Sequence, residues 1–223
     1  MANTEAATAK ALAEFRARAQ AAGVTIEIRV RRGDEPWREV VEETRADGAD
    51  LLVTRRRGHR SFLGKLRIGE MVRQIAAHSH CPVMMVPRAA DAPTRGVLTV
   101  IEAESAIEPE MRVACTMAGA LALPLGVLIV LPDGRPAEAG AVLLQRAQAV
   151  AEQAQLNAAG KVQSGRLAAL VGAGLRTVPA DLLVVGIPPG PARHGKLGDT
   201  VEVVVSEAPC AILLVGAHAS TIG

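Results

Sequence analysis

One stretch of this chain occurs twice. Ala49-Asp50-Leu51-Leu52-Val53 returns as Ala180-Asp181-Leu182-Leu183-Val184, and Gly64-Lys65-Leu66 returns as Gly195-Lys196-Leu197. Gly69-Glu70 returns as Gly198-Asp199, Arg18-Ala19-Gln20 as Arg146-Ala147-Gln148, and Cys81-Pro82 as the reversed pair Pro209-Cys210. The matches keep their order and nearly one spacing, which chance rarely does. The sequence therefore reads as a tandem duplication, and its fold must serve the same unit twice.

The unit alternates helix and strand. Lys10–Ala22 reads as a helix closed by Gly23, Val24–Val30 as a strand, and Pro36–Asp47 as a helix with Pro36 at its start and Gly48 past its end. Leu51–Thr54 is a short apolar strand, and an Arg/Gly loop follows it. Gly69–His78 is a helix and Pro82–Val86 a strand. The second half runs strand Val97–Ile101, helix Ile107–Leu121, strand Val127–Leu131 and helix Gly140–Leu156. It continues with a weak strand within Gly160–Gly165, helix Leu167–Leu175, strand Leu182–Val185 and a last strand in Pro209–Val215. Short all-apolar strands alternating with helices predict an α/β fold with a parallel sheet covered on both faces. Val201, Val203, Val204 and Val205 favour a strand locally, whereas the family resemblance given below implies a helix there; helix is the reading taken.

The repeat also exposes a gap. The second unit has five strands, and the first has counterparts of only the last three. The expected organisation is a truncated unit at 1–88, a linker at 89–95, a complete unit at 96–217 and a tail at 218–223. Either the first unit is truncated or a partner supplies its missing strands.

Composition narrows the function classes. Aromatics are 1%, with one Trp, two Phe and no Tyr, so the core is aliphatic and the composition argues against a base-stacking nucleic-acid platform. Net charge is +2. The positive charge lies in residues 1–95, which can mark a local anion site or only a solvated surface. Cys81, Cys115 and Cys210 are odd in number and far apart, without disulfide or zinc spacing. A cytoplasmic protein is expected. Val113–Pro132 lacks charge and is long enough to span a bilayer, but Leu123-Pro124-Leu125-Gly126 breaks it; a buried helix followed by a buried strand accounts for it.

The segment that could carry chemistry runs from Asp50 to Glu70. A glycine-containing loop that leaves a parallel strand and enters a helix can cradle phosphate on converging amides. It is not a Walker A loop: Gly58 and Gly64 are separated by one residue too many, and Lys65 precedes Leu66 rather than Ser or Thr. His78-Ser79-His80-Cys81 resembles a metal cluster in composition only, since it straddles a helix end and a strand start. No nucleophile–base arrangement stands out, so the chain is read as not an enzyme.

These residues resemble the universal stress protein family. Its pattern is a strand, Gly-x2-Gly-x9-Gly-(Ser/Thr), a helix and an Ala-Pro-Cys-Pro-Val strand start. Here Leu52-Val53, Gly58, Gly69 and Ser79-His80-Cys81-Pro82-Val83 stand in the first unit, and Gly186, Gly190, Gly198 and Ala208-Pro209-Cys210 in the second. The resemblance implies a doubly wound sheet of order 3-2-1-4-5, pairing through the last strand and, in the family's ATP-binding branch, ATP on this loop. The first-unit site would be lined by Arg55, Arg56, Arg57, Gly58, Gly64, Lys65, Gly69 and Glu70, with Mg²⁺ entering only with ATP.

The departures weaken that expectation. Arg55 replaces the first glycine, and Glu70 and Asp199 replace the phosphate-binding Ser/Thr. Pro188, Pro189 and Pro191 crowd the second loop, and the family's acidic residue after the first strand has a stand-in only in Glu102. A phosphate at about 4 Å from either carboxylate meets roughly 4 kcal/mol of repulsion at an effective dielectric of about 20. A weak ATP site is expected at most in unit one, and none in unit two. Two functional readings follow. One is a stress-linked signalling module with a degenerate adenine-nucleotide loop. The other is a dimerisation or regulatory module without nucleotide, as homo-oligomer, with a protein partner, or as the soluble part of a transporter-type assembly.

Overall fold

The computed structural model describes residues 2–56, 58–60, 66–87, 91–102, 106–165, 179–188 and 197–216. The chain divides into two compact units, Met1–Gly33 and Asp34–Gly223. The first holds helix α1 (Ala2–Ala21) and the segment 24–33, which carries no strand. The alternation at Val24–Val30 predicts a strand; instead Val24 and Val30 are exposed. The physical reason lies in the repeat. Its counterpart in the second half, β7 (Ala158–Ser164), pairs with β6 (Leu125–Leu131), and the first repeat contains no counterpart of β6.

The second unit is built on one seven-stranded sheet in the order β1-β4-β9-β8-β5-β6-β7. Besides β6 and β7, its strands are β1 (Leu52–Arg55), β4 (Val83–Val86), β5 (Val97–Glu102), β8 (Leu182–Ile187) and β9 (Ala211–Gly216). A short antiparallel hairpin, β2 (Gly58–Arg60) with β3 (Leu66–Ile68), stands apart. Every pairing in the large sheet is parallel except β4 with β9. The second repeat alone has the order β7-β6-β5-β8-β9, which is the 3-2-1-4-5 arrangement expected. The first repeat contributes only the last two positions of that order, β1 and β4.

Helices cover both faces. On one face lie α2 (Pro36–Ala46), α3 (Glu70–His78) and α6 (Asp199–Glu207), around Ile75, Met85, Leu183, Leu197, Val204 and Ile212. On the other lie α4 (Ile107–Leu121) and α5 (Ala137–Gln153), around Met111, Ile129, Leu131, Leu182 and Leu213. The uncharged run Val113–Pro132 is the end of α4 plus β6, all seven of whose residues are buried. Ala122 turns the chain between them with φ 52°, ahead of Pro124. No helix among the described residues is long and apolar enough to cross a membrane.

The valine-rich segment is helix α6, against its local strand preference. Val201, Val204, Val205 and Ala208 are buried, and their spacing places them on one helical face. Tertiary burial outweighs a propensity deficit of a few tenths of a kcal/mol per valine. Helix α6 is the counterpart of α3, residue for residue at one constant offset. The linker ahead of β5 is anchored where it is described: Asp181 accepts the backbone N–H groups of Thr94, Arg95 and Gly96 at 2.8, 3.0 and 3.2 Å.

Candidate functional site

In a doubly wound sheet the binding crevice opens at the carboxyl ends of the strands where the winding reverses. In the second repeat that point lies between β5 and β8, because the chain runs from β5 through α4 to β6 on one side and later lays β8 on the other. Gly186 sits near the end of β8. It faces Glu110 of α4, a carboxylate only 2% exposed. A methyl group on Gly186 would overlap Glu110 Oε1, so the glycine lets the carboxylate lie against the strand backbone. The crevice between β5 and β8 is therefore narrowed by the buried Glu110 side chain. A phosphate there would meet its bulk.

Around that crevice Glu102 ends β5, half-buried. Gly198 is the N-cap of α6 with φ 87°, and Asp199 is the first helical residue. Gly190 lies outside the described residues. Among the described residues around this crevice, Glu110 is the carboxylate that lies against β8.

The first repeat distributes its candidates differently. Arg55 ends β1 and is exposed. Arg56 is half-buried, and its Nη1 donates to the carbonyls of Val205 at 3.1 Å and Ala208 at 2.7 Å. It thus completes the carboxyl end of α6, where free carbonyls and the helix dipole favour a cation. Burial pulls its pKa down from the usual arginine value, with the nearby Cys210 thiol opposing. Gly58 opens the β2–β3 hairpin, opposite Ile68. Arg57, Gly64 and Lys65 lie outside the described residues. Gly69 is the N-cap of α3 and makes no side-chain cap. Glu70 follows, and its carboxylate turns along the helix. It accepts from Arg73 Nη1 at 2.6 Å and Gln74 Nε2 at 2.7 Å. Of the basic cluster read from the sequence, the described structure thus commits Arg56 to the second repeat and leaves Arg55 at the surface.

The remaining reactive side chains have structural roles. His78 sits at the end of α3, with Nδ1 2.9 Å from the Gln74 carbonyl and its ring 4.8 Å from that of Trp37. Cys81 and Cys115 are buried and Cys210 is half-buried. Burial pushes the Cys115 thiol up, and the Cys210 thiol up to about 11, which disfavours the reactive thiolate. No group of three or more metal-ligating side chains gathers among the described residues.

Three residues with notable contacts escape the sequence reading: Glu110, Asp181 and Arg73. Glu110 carries a signal, a carboxylate on the apolar face marked by Ile107, Met111, Ala114 and Met117. Asp181 also carries one, since it is a charged residue kept at both copies of an otherwise apolar motif.

The fold is that of a doubly wound α/β protein with helices on both faces of a mostly parallel sheet. Among known proteins, residues 1–87 match the sequence model described as the Universal stress protein family. No curated protein matches the chain. A solved universal stress protein from Archaeoglobus fulgidus DSM 4304 superposes with a TM-score of 0.77 at 17% identity, over 96% of this chain and 79% of that one. A Pseudomonas aeruginosa UCBPP-PA14 structure, described under the same family name, gives 0.72 at 16%, over 94% and 78%. At these identities the likeness is one of fold. A universal stress protein from Archaeoglobus fulgidus in complex with dAMP aligns with 55% of this chain and 98% of that one, at 18% identity and a TM-score of 0.45.

Proposed function

We propose that the chain is a regulatory module of the universal stress type, cytoplasmic and non-catalytic, that works through protein contacts and holds no nucleotide in its second repeat. The observation that carries this reading is the Glu110 carboxylate seated on Gly186, in the crevice where a doubly wound sheet would take a ligand. The antiparallel β4–β9 junction joins the two repeats through their last strands, which makes the chain an internal pseudo-dimer. The test is to denature the purified protein and chromatograph the supernatant. The reading expects no stoichiometric adenine nucleotide.

A second reading keeps a weak adenine-nucleotide site in the first repeat. It is favoured by the Glu70 carboxylate, which is drawn along α3 by Arg73 and Gln74. Its charge is thereby partly offset. Backbone amides at Gly58 and Gly69 would then meet the phosphates, with Arg55, Arg57 and Lys65 neutralising them. Micromolar Mg-ATP binding that disappears on Arg55→Ala and Lys65→Ala substitution would establish that reading over the first.

A further inference from the structure

Helices α4 and α5 line an open cavity of about 400 Å³, within the range of small-molecule sites. On α4 the lining is Arg112, Cys115, Thr116 and Gly119, spaced as one helical face. On α5 it is the last turn, and Leu156 stands just beyond the helix end. Helix α4 leaves the carboxyl end of β5 and returns to the amino end of β6, which runs parallel to β5. The cavity therefore lies toward the amino ends of the strands, away from the crevice at Gly186.

Its lining is chemically divided. Cys115 is buried, and Val150 and Leu156 are half-buried against the same core. Burial keeps the Cys115 thiol neutral. Arg112 is exposed and, among the described residues, makes no ion pair. Thr116, one turn further along α4, and Gln153, from the facing helix, add a hydroxyl and an amide. No carboxylate lines the cavity among the described residues. One guanidinium without a counter-charge matches one carboxylate, which it can hold in a bidentate pair.

The helix ends orient such a ligand. Neither α4 nor α5 has a basic residue in its last turn, so each carboxyl end keeps its partial negative charge. The anionic head belongs at Arg112, about 10 Å back along α4 from Gly119. The apolar body then runs past Cys115 and Gly119 toward Leu156. Gly119 keeps that path open. It is helical, and a Cβ built on it meets nothing within 4 Å, whereas Gly140 and Gly160 are crowded by Val162 and Leu144. Neither backbone nor packing requires this glycine, and it costs a helix up to about 1 kcal/mol against alanine. The far wall is fixed, because Gln155 turns with φ 59° and Leu156 N–H donates to the Ala151 carbonyl at 2.9 Å.

We propose that this cavity binds a medium-chain monocarboxylate, a fatty acid about 10 Å long, with its carboxylate on Arg112 and Thr116 and its chain laid over Gly119 toward Leu156. This inference goes beyond the functional reading above and stands whether or not nucleotide binds.

The experiment titrates the full chain with sodium octanoate and follows the backbone amides by NMR. The expected result is saturable one-to-one binding with a Kd below about 1 mM, with shifts concentrated at Thr116, Gly119 and Leu156. Acetate, a head without a chain, and octylamine, a chain with the opposite charge, should each bind at least about tenfold more weakly. Arg112→Gln should weaken octanoate at least about tenfold. Gly119→Leu should abolish binding by filling the cavity, and the variant should melt no lower than the parent chain, since leucine suits a helix better than glycine. No saturable shift at these amides up to about 5 mM octanoate overturns the proposal. Equal binding of octylamine, or octanoate binding that survives Gly119→Leu, overturns it as well.

Discussion

Arg73 and Glu202 stand at the same position of the two repeats, and they face each other, with Arg73 Nε 3.2 Å from Glu202 Oε1. Met84 and Leu213, another equivalent pair, lie directly opposite in the β4–β9 ladder. A pseudo-two-fold axis therefore passes between these pairs. Identical units joined in this way would bring like residues together at position 73 or 202. The duplicated chain has diverged to opposite charges there, which favours pairing unlike repeats over pairing two first or two second repeats.

Glu202→Arg is expected to lower the free energy of unfolding by about 0.5–1 kcal/mol, as a partly exposed pair allows. The exchange Arg73→Glu with Glu202→Arg should recover most of that loss. Urea unfolding of the four species measures the coupling. A cycle with no coupling would reduce the pair to a coincidence of packing.

Gly186→Ala is expected to destabilise the protein by about 1–3 kcal/mol, because the new methyl overlaps the Glu110 carboxylate. In a Glu110→Ala background the same substitution should cost much less. Thermal unfolding checks both, and equal costs in the two backgrounds would contradict the contact.

Much of the fold is legible in the sequence. The repeated Ala-Asp-Leu-Leu-Val segment marks two equivalent strands, and the resemblance to the universal stress protein family implies the 3-2-1-4-5 sheet. The helix over Val201–Val205 is legible only through the family resemblance, since local preference points the other way. Val24–Val30 reads as a strand and is none, because alternation reports a strand's faces and says nothing of whether a neighbour exists to pair with. The β2–β3 hairpin within the Arg/Gly loop carries no signal that the sequence reading picks up. The site is less legible. Arg56 looks like a phosphate ligand because sequence shows charge and spacing. Its partners, the carbonyls of Val205 and Ala208, are backbone atoms from the other repeat. Glu110 escapes notice because its significance depends on Gly186, far along the chain.

Asp181→Asn is expected to cost about 1 kcal/mol near neutral pH, after allowance for its exposure to solvent. Burial alone would raise the Asp181 pKa. The backbone N–H groups of Thr94, Arg95 and Gly96 outweigh burial and hold it below the usual carboxylate value. A depressed folded-state pKa contributes stability above the unfolded value, and that contribution is lost as pH falls through the folded value. The difference between wild type and Asp181→Asn should therefore shrink below about pH 4. A difference that grows in acid would refute the assignment.

Arg56→Ala removes two donors from the carboxyl end of α6 and should cost about 1–2 kcal/mol. Arg55→Ala, at an exposed position, should stay within about 0.5 kcal/mol of wild type. Chemical denaturation of the two variants distinguishes a structural arginine from a surface one, and equal effects would contradict the placement.

The most direct test of the account is a calorimetric titration of the nucleotide-free protein with Mg-ATP into the millimolar range. The account predicts no saturable binding in the second repeat, because the Glu110 side chain narrows its crevice. Stoichiometric binding that survives substitution of Arg55 and Lys65 and is lost on Gly186→Ala would place ATP in that crevice and contradict it.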